Sequence, residues 1–201
     1  MRAILLLALS LYVCVGVAVA EEGSAEAGRN KAGVCAACHG PDGNSVNPEW
    51  PSLAGQHARY VTRQIEAFKT GTRTNPLMAG IVATLTDQDA ADLVAYFSSL
   101  KITTGVADPA LVRAGQRLYQ GGNKAKGLSA CIACHGPDGR GNQPGGIPAL
   151  GGQHAQYTTA QLKAYAAGER RSDPNQIMRN IAALMSADEI TAVASYIQGL
   201  H

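Results

Sequence analysis

Cys35-Ala36-Ala37-Cys38-His39-Gly40-Pro41-Asp42-Gly43 occurs a second time in this chain of 201 residues, as Cys131-Ile132-Ala133-Cys134-His135-Gly136-Pro137-Asp138-Gly139. Two thiols one helical turn apart can add to the two vinyl groups of one porphyrin, and the histidine that follows can reach its iron. Each copy therefore reads as a c-type haem attachment site, which makes two haem c groups the expected cofactors. A zinc ribbon also uses paired Cys-x-x-Cys motifs, but at a separation of roughly 15–20 residues, far closer than these. A thioredoxin-like dithiol needs a βαβ setting, and no such pattern flanks either motif.

Working outward, the N-terminus opens with Met1-Arg2, an apolar run from Ala3 to Val19, and Ala18-Val19-Ala20 ahead of Glu21. These are the charged, apolar and small-residue regions of a secretory signal, so residues 1–20 are expected to be a signal peptide cleaved after Ala20. The rival reading is an uncleaved anchor, since the run is close to the ~18 apolar residues of a candidate membrane span. Cys14 lies inside this segment, and Val13 is larger than the small residue expected before a lipidated cysteine. Cleavage leaves four cysteines, all in the two motifs. Export then serves haem attachment in the periplasm rather than a disulfide framework.

The repeat divides the remainder into a domain over 21–100, a linker over 101–108 and a domain over 109–201. Each half is small for a self-sufficient core, and a covalently held cofactor would supply buried area. From Glu21 to Leu100 there are six Lys/Arg against nine Asp/Glu, and from Lys101 to His201 ten against six. Neither excess points to nucleic acid, while the asymmetry gives a dipole able to orient charged protein partners.

Helical signals recur in both halves. Ser24 begins a helix expected to run from Ala25 into the first motif. Tyr60, Val61, Ile65 and Phe68 recur at helical spacing before a stop at Gly71, and Gln153 to Gly168 repeats that plan. Thr86-Asp87-Gln88-Asp89 and Ser186-Ala187-Asp188-Glu189 read as capping arrangements, and Asp108-Pro109 as the start of a helix ending at Gly121-Gly122. No segment alternates with the period of a strand, so the expected class is all-α.

A haem held by one histidine has a free axial position, and its occupant decides between electron transfer and ligand chemistry. Met78 and Met178 stand in equivalent places, each shortly after a Pro-containing polar loop. Met185 falls opposite Leu85 and reads as core. His57 and His154, paired within Gln-His-Ala-x-Tyr, are the rivals for the iron, although opening a helix beside Gln suggests a surface role. Pro41 and Pro137 are placed to supply a carbonyl to the ligating imidazole. Trp50, Tyr60 and Tyr157 read as packing residues, with bordering the haems or hydrogen-bonding their propionates as the alternative, and Arg73, Arg170 and Arg171 as solvated side chains, with pairing to propionates as the alternative.

The two nonapeptides, the two Gly-Gln-His-Ala-x-Tyr stretches and the two late methionines resemble the dihaem cytochrome c4 family over essentially the whole mature chain. The resemblance implies two tandem class I cytochrome c domains related by a pseudo-twofold, with haem propionates facing each other across the interface. It implies attachment through Cys35 and Cys38, and through Cys131 and Cys134, with His39 and Met78 on one iron and His135 and Met178 on the other. It also implies an electron carrier rather than an enzyme, in the periplasm and often against the membrane, passing single electrons between redox proteins towards a terminal oxidase. The alternatives are the dihaem subunit of a flavocytochrome of the sulfide dehydrogenase type, a dihaem peroxidase, or a gas sensor. The last two require an iron that can open.

Overall fold

The computed structural model describes residues 22–201, so the signal expected over 1–20 lies outside the described residues. Among these residues each half has five α-helices. They are α1 (Ala25–Lys31), α2 (Gly33–His39), α3 (Ala58–Lys69), α4 (Pro76–Val82) and α5 (Asp87–Ser99), then α6 (Val112–Gly121), α7 (Ile132–His135), α8 (Ala155–Ala166), α9 (Ile177–Ala182) and α10 (Ala187–Gln198). Among the described residues the extended pairings are two isolated bridges, Asn123 with Leu128 and Asn142 with Ile147. The fold is all-α, as the periodicity predicts.

Each half is organised on one helix crossing, α1 on α5 and α6 on α10. A glycine on the entering helix brings the two backbones together. A Cβ at Gly28 would stand 2.0 Å from the Asp92 carbonyl oxygen, and one at Gly115 would stand 2.3 Å from that of Ala192. The close approach packs Ala32 with Leu93 and Phe97 in the first core, and Leu118 and Tyr119 with Val193, Ile197 and Leu200 in the second. Tyr96 and Tyr196, which the repeat pairs, lie against these same glycines.

Capping follows the sequence with two adjustments. Ser24 accepts from the Ala27 N–H, but the first helix turns at Ala32, which places Cys35 on the separate α2. Asp108 does not cap α6. Its carboxylate accepts from the Ala110 N–H and its own N–H donates to Ser195 Oγ, so 108–111 is held as a turn against α10 and the helix begins at Val112. Residues 101–108 carry no helix, and Asn44 from one side and Gln198 from the other fasten them by hydrogen bonds.

Thr86 and Ser186 close reciprocal capping boxes at α5 and α10. The second is reinforced because the Glu189 carboxylate also accepts from Lys126 Nζ at 2.7 Å and Asn123 Nδ2 at 2.8 Å. These donors, Lys126 foremost, hold Glu189 down at about 2. A depressed carboxyl stabilises the fold above its unfolded value of about 4.3, and that contribution is lost as pH falls towards 2. Denaturant titrations of the holoprotein at pH 5 and pH 2.5 should show this loss in the wild type, and a smaller difference in Glu189→Gln.

Candidate haem sites

Both attachment motifs end a helix at the histidine. Gly40 and Gly136 follow in backbone conformations with φ of 83° and 77°, reversing the chain so that each imidazole faces inward. His39 and His135 are 7% and 6% exposed. Their Nδ1 atoms lie 2.8 Å from the Pro51 carbonyl and 3.0 Å from the Pro148 carbonyl. A carbonyl only accepts, so Nδ1 carries the proton and the Nε2 lone pair is left for a metal. Burial holds both rings below the ordinary imidazole value, and the Arg73 charge acts in the same direction on His39. The rings are therefore neutral and oriented, the state in which imidazole ligates iron.

The acceptor is not the proline that the sequence suggested. Pro41 follows the reversed turn, and its carbonyl instead receives the Tyr96 hydroxyl. Pro51 and Pro148 return on the next loop, which is pinned where the N–H groups of Leu53 and Ala54 donate to Gly43, and those of Leu150 and Gly151 to Gly139. The repeat pairs Pro51 with Pro148 as well, and that pairing was the available signal.

None of the four motif cysteines is in a disulfide; Cys35, Cys38 and Cys131 are half-buried and Cys134 is exposed. Two unbridged thiols beside a buried, neutral imidazole with Nε2 available match the donor set of a covalently attached haem. A zinc site would require the two cysteine pairs to converge. Among the described residues no group of three or more His, Cys, Asp or Glu side chains does so.

Met78 is half-buried in α4, whose start is capped by Asn75 Oδ1 accepting from the Met78 N–H. Met178 is half-buried in α9, reached through Asn175 and Gln176, both left-handed at φ of 54° and 59°. Met185 packs against the second core and Leu85 against the first.

The surface role suggested for His57 and His154 does not hold. Each stands at the entry of its helix, α3 or α8, and its Nε2 donates across to the opposite half, to the Arg140 carbonyl at 2.6 Å and the Ser45 carbonyl at 2.8 Å. The preceding glutamines do likewise. Gln56 pairs with both backbone groups of Ala149 at 2.9 Å, and Gln153 pairs with both backbone groups of Ser52. Arg63 adds a bond to the Gly146 carbonyl, and Arg59 one to that of Pro144.

Two further readings are corrected at this junction. Arg170 is 4% exposed and Arg73 half-buried, whereas Arg171 is exposed as expected and Trp50 is exposed rather than packed. Tyr60 and Tyr157 are not plain packing residues, because their hydroxyls accept from Arg170 and Arg73 of the opposite half. Gln64 and Gln161 complete the cluster. The sequence reading did not single them out, although they too are paired by the repeat.

The cytochrome c family model matches residues 25–101 and again 112–201. The chain is 49% identical to cytochrome c4 of Azotobacter vinelandii, over all of this chain and 99% of that one. A crystal structure of reduced recombinant cytochrome c4 from Pseudomonas stutzeri superposes with a TM-score of 0.86 at 47% identity, covering 89% of this chain and 100% of that chain. The thiosulfate dehydrogenase electron acceptor of Stutzerimonas stutzeri is 37% identical over 96% of this chain and 90% of its own. Two histidine sites of one design, joined through a reciprocal interface and matched over both halves, place this chain in the cytochrome c4 family, as a dihaem c-type cytochrome that carries electrons.

Proposed function

We propose that Cys35 and Cys38 hold one haem with His39 and Met78 as its axial ligands, and that Cys131 and Cys134 hold the other with His135 and Met178. The domains run over 21–100 and 109–201, joined by 101–108, and the chain works in the periplasm after cleavage at Ala20. A haem held by these residues would supply one-electron chemistry at its iron. The chain's own task is then to keep its ligands in place and to exclude water. The observation that carries this reading is the pair of buried imidazoles with Nδ1 fixed on Pro51 and Pro148. The engagement of His57 and His154 Nε2 with carbonyls opposes bis-histidine ligation and favours methionine.

In this reading the protein relays single electrons from a periplasmic donor towards a terminal oxidase, with peripheral contact at the membrane. A second reading, favoured by the thiosulfate dehydrogenase electron acceptor among its relatives, makes the donor a thiosulfate-oxidising enzyme. No observation favours the flavocytochrome, peroxidase or gas-sensor alternatives. The oxidised protein should show the methionine-sulfur-to-iron absorption band at two equivalents per chain, with two haems by haemochrome assay. The reduced protein should bind no carbon monoxide. One equivalent, or none, would return the axial assignment to histidine or to an open iron. Reduction by a thiosulfate dehydrogenase supplied with thiosulfate separates the two donors.

A further inference from the structure

The junction between the halves holds an unbalanced set of hydrogen-bond donors. Arg73 donates to Gln64 Oε1 at 3.0 Å, to Tyr157 Oη at 2.6 Å and to Gln161 Oε1 at 3.1 Å. Arg170 donates to Gln161 Oε1 at 2.9 Å, to Tyr60 Oη at 2.7 Å and to Gln64 Oε1 at 2.8 Å. Both guanidinium groups thus grip the same two amide oxygens, and the two positive charges stand side by side. Arg73 lies over the ring of Phe68 and Arg170 over that of Tyr165, which closes one face of each.

No carboxylate among the described residues forms an ion pair with either arginine. The six ion pairs among the described residues lie elsewhere. Gln64 Nε2 is buried without a partner, and the Tyr60 and Tyr157 hydroxyls, having accepted from the arginines, each keep a hydrogen to give. Two adjacent cations, Arg170 buried and Arg73 half-buried, beside an unpartnered buried donor form a setting that an anion would stabilise. A haem c group brings carboxylates of its own, and each arginine lies shortly before its half's axial methionine in sequence.

We infer that Arg73 and Arg170 form one shared cationic seat for the carboxylates of both haems, so that each arginine sets the potential of the haem in the opposite half as well as its own. This rests on the dihaem assignment above and goes beyond it. A cation near an iron favours the reduced state, which carries one positive charge fewer, and so raises the potential. Because the two guanidinium groups share their acceptors, removing either one is felt on both sides.

The test is a redox titration of full-length dihaem protein carrying Arg170→Gln, with the two haems assigned through Met78→Ala and Met178→Ala. Both midpoint potentials should fall, each by about a tenfold loss in the reduction constant, which is about 59 mV for one electron. Arg170→Lys, which keeps the charge but not the fork, should recover most of the loss. A shift confined to the second haem, or none, overturns the shared seat. So do potentials that follow added inorganic phosphate in the wild type, since the seat would then hold a free anion. Should Arg170→Gln fail to mature, Arg73→Gln at the half-exposed member gives the same test, and a shift confined to the first haem overturns the inference. Haem content and the methionine-iron band are read in the same samples. A wrong haem assignment appears as a missing band, and a wrong seat as unmoved potentials.

Discussion

Met78→Ala should lower the potential of one haem by a few hundred millivolts, within the span of about 0.8 V that axial ligation commands, and leave the other close to its original value. The reason is local. A thioether stabilises ferrous over ferric iron, and Met78 sits at the third position of a short helix whose first turn is fixed by Asn75. Alanine there keeps the helix and deletes the sulfur. Redox titration should resolve two well-separated waves, the methionine-iron band should drop to one equivalent, and carbon monoxide should bind at one haem per chain. Two unchanged waves would remove Met78 from the iron. The same substitution at Met178 should produce the mirror-image result.

Gly115→Ala should cost the second half 3 kcal/mol or more, at or beyond the upper end of about 1–3 kcal/mol typical of overpacking. An added Cβ there meets the Ala192 carbonyl oxygen at 2.3 Å and Tyr196 Cβ at 2.6 Å. The first obstacle is backbone, so no rotamer change relieves it, and α6 must lift from α10. Leu118 and Tyr119 would then withdraw from Val193 and Ile197, the contact on which the second core rests. Urea titration followed by far-ultraviolet circular dichroism should show the loss. Gly121→Ala, where the added Cβ would meet nothing within 4 Å beyond its chain neighbours and its own helix, should leave stability nearly unchanged in parallel.

The sequence disclosed what local chemistry dictates. The nonapeptides announce thiols and an imidazole at fixed spacing, and the capping residues Thr86 and Ser186 start helices where they stand, because each bonds its own first turn. The seam between the halves was not legible in the same way. It is polar, built from glutamine, histidine, tyrosine and arginine, so it leaves no hydrophobic periodicity to detect. Arg170, beside Arg171, looks like ordinary surface until the tertiary fold buries one and exposes the other. Likewise the partner of His39 lies a loop away at Pro51 rather than next door at Pro41, a choice made by the reversal at Gly40. Even so, Gln56, His57, Tyr60, Gln64 and Arg73 each have a counterpart in the other half, whereas Arg59 and Arg63 fall opposite Gln156 and Ala160. The repeat carried the information that periodicity lacked.

That duplication has one asymmetric outcome. In an assembly of two identical chains every substitution would land on both sides at once, and the two irons would remain twins. Here the copies share a single polypeptide, so each side can drift alone. Phe68 underlies Arg73 where Tyr165 underlies Arg170, and Pro76 opens α4 where the left-handed Gln176 precedes α9. A symmetric lock written into one chain thereby permits unequal ends, and unequal ends are what give a conductor a direction.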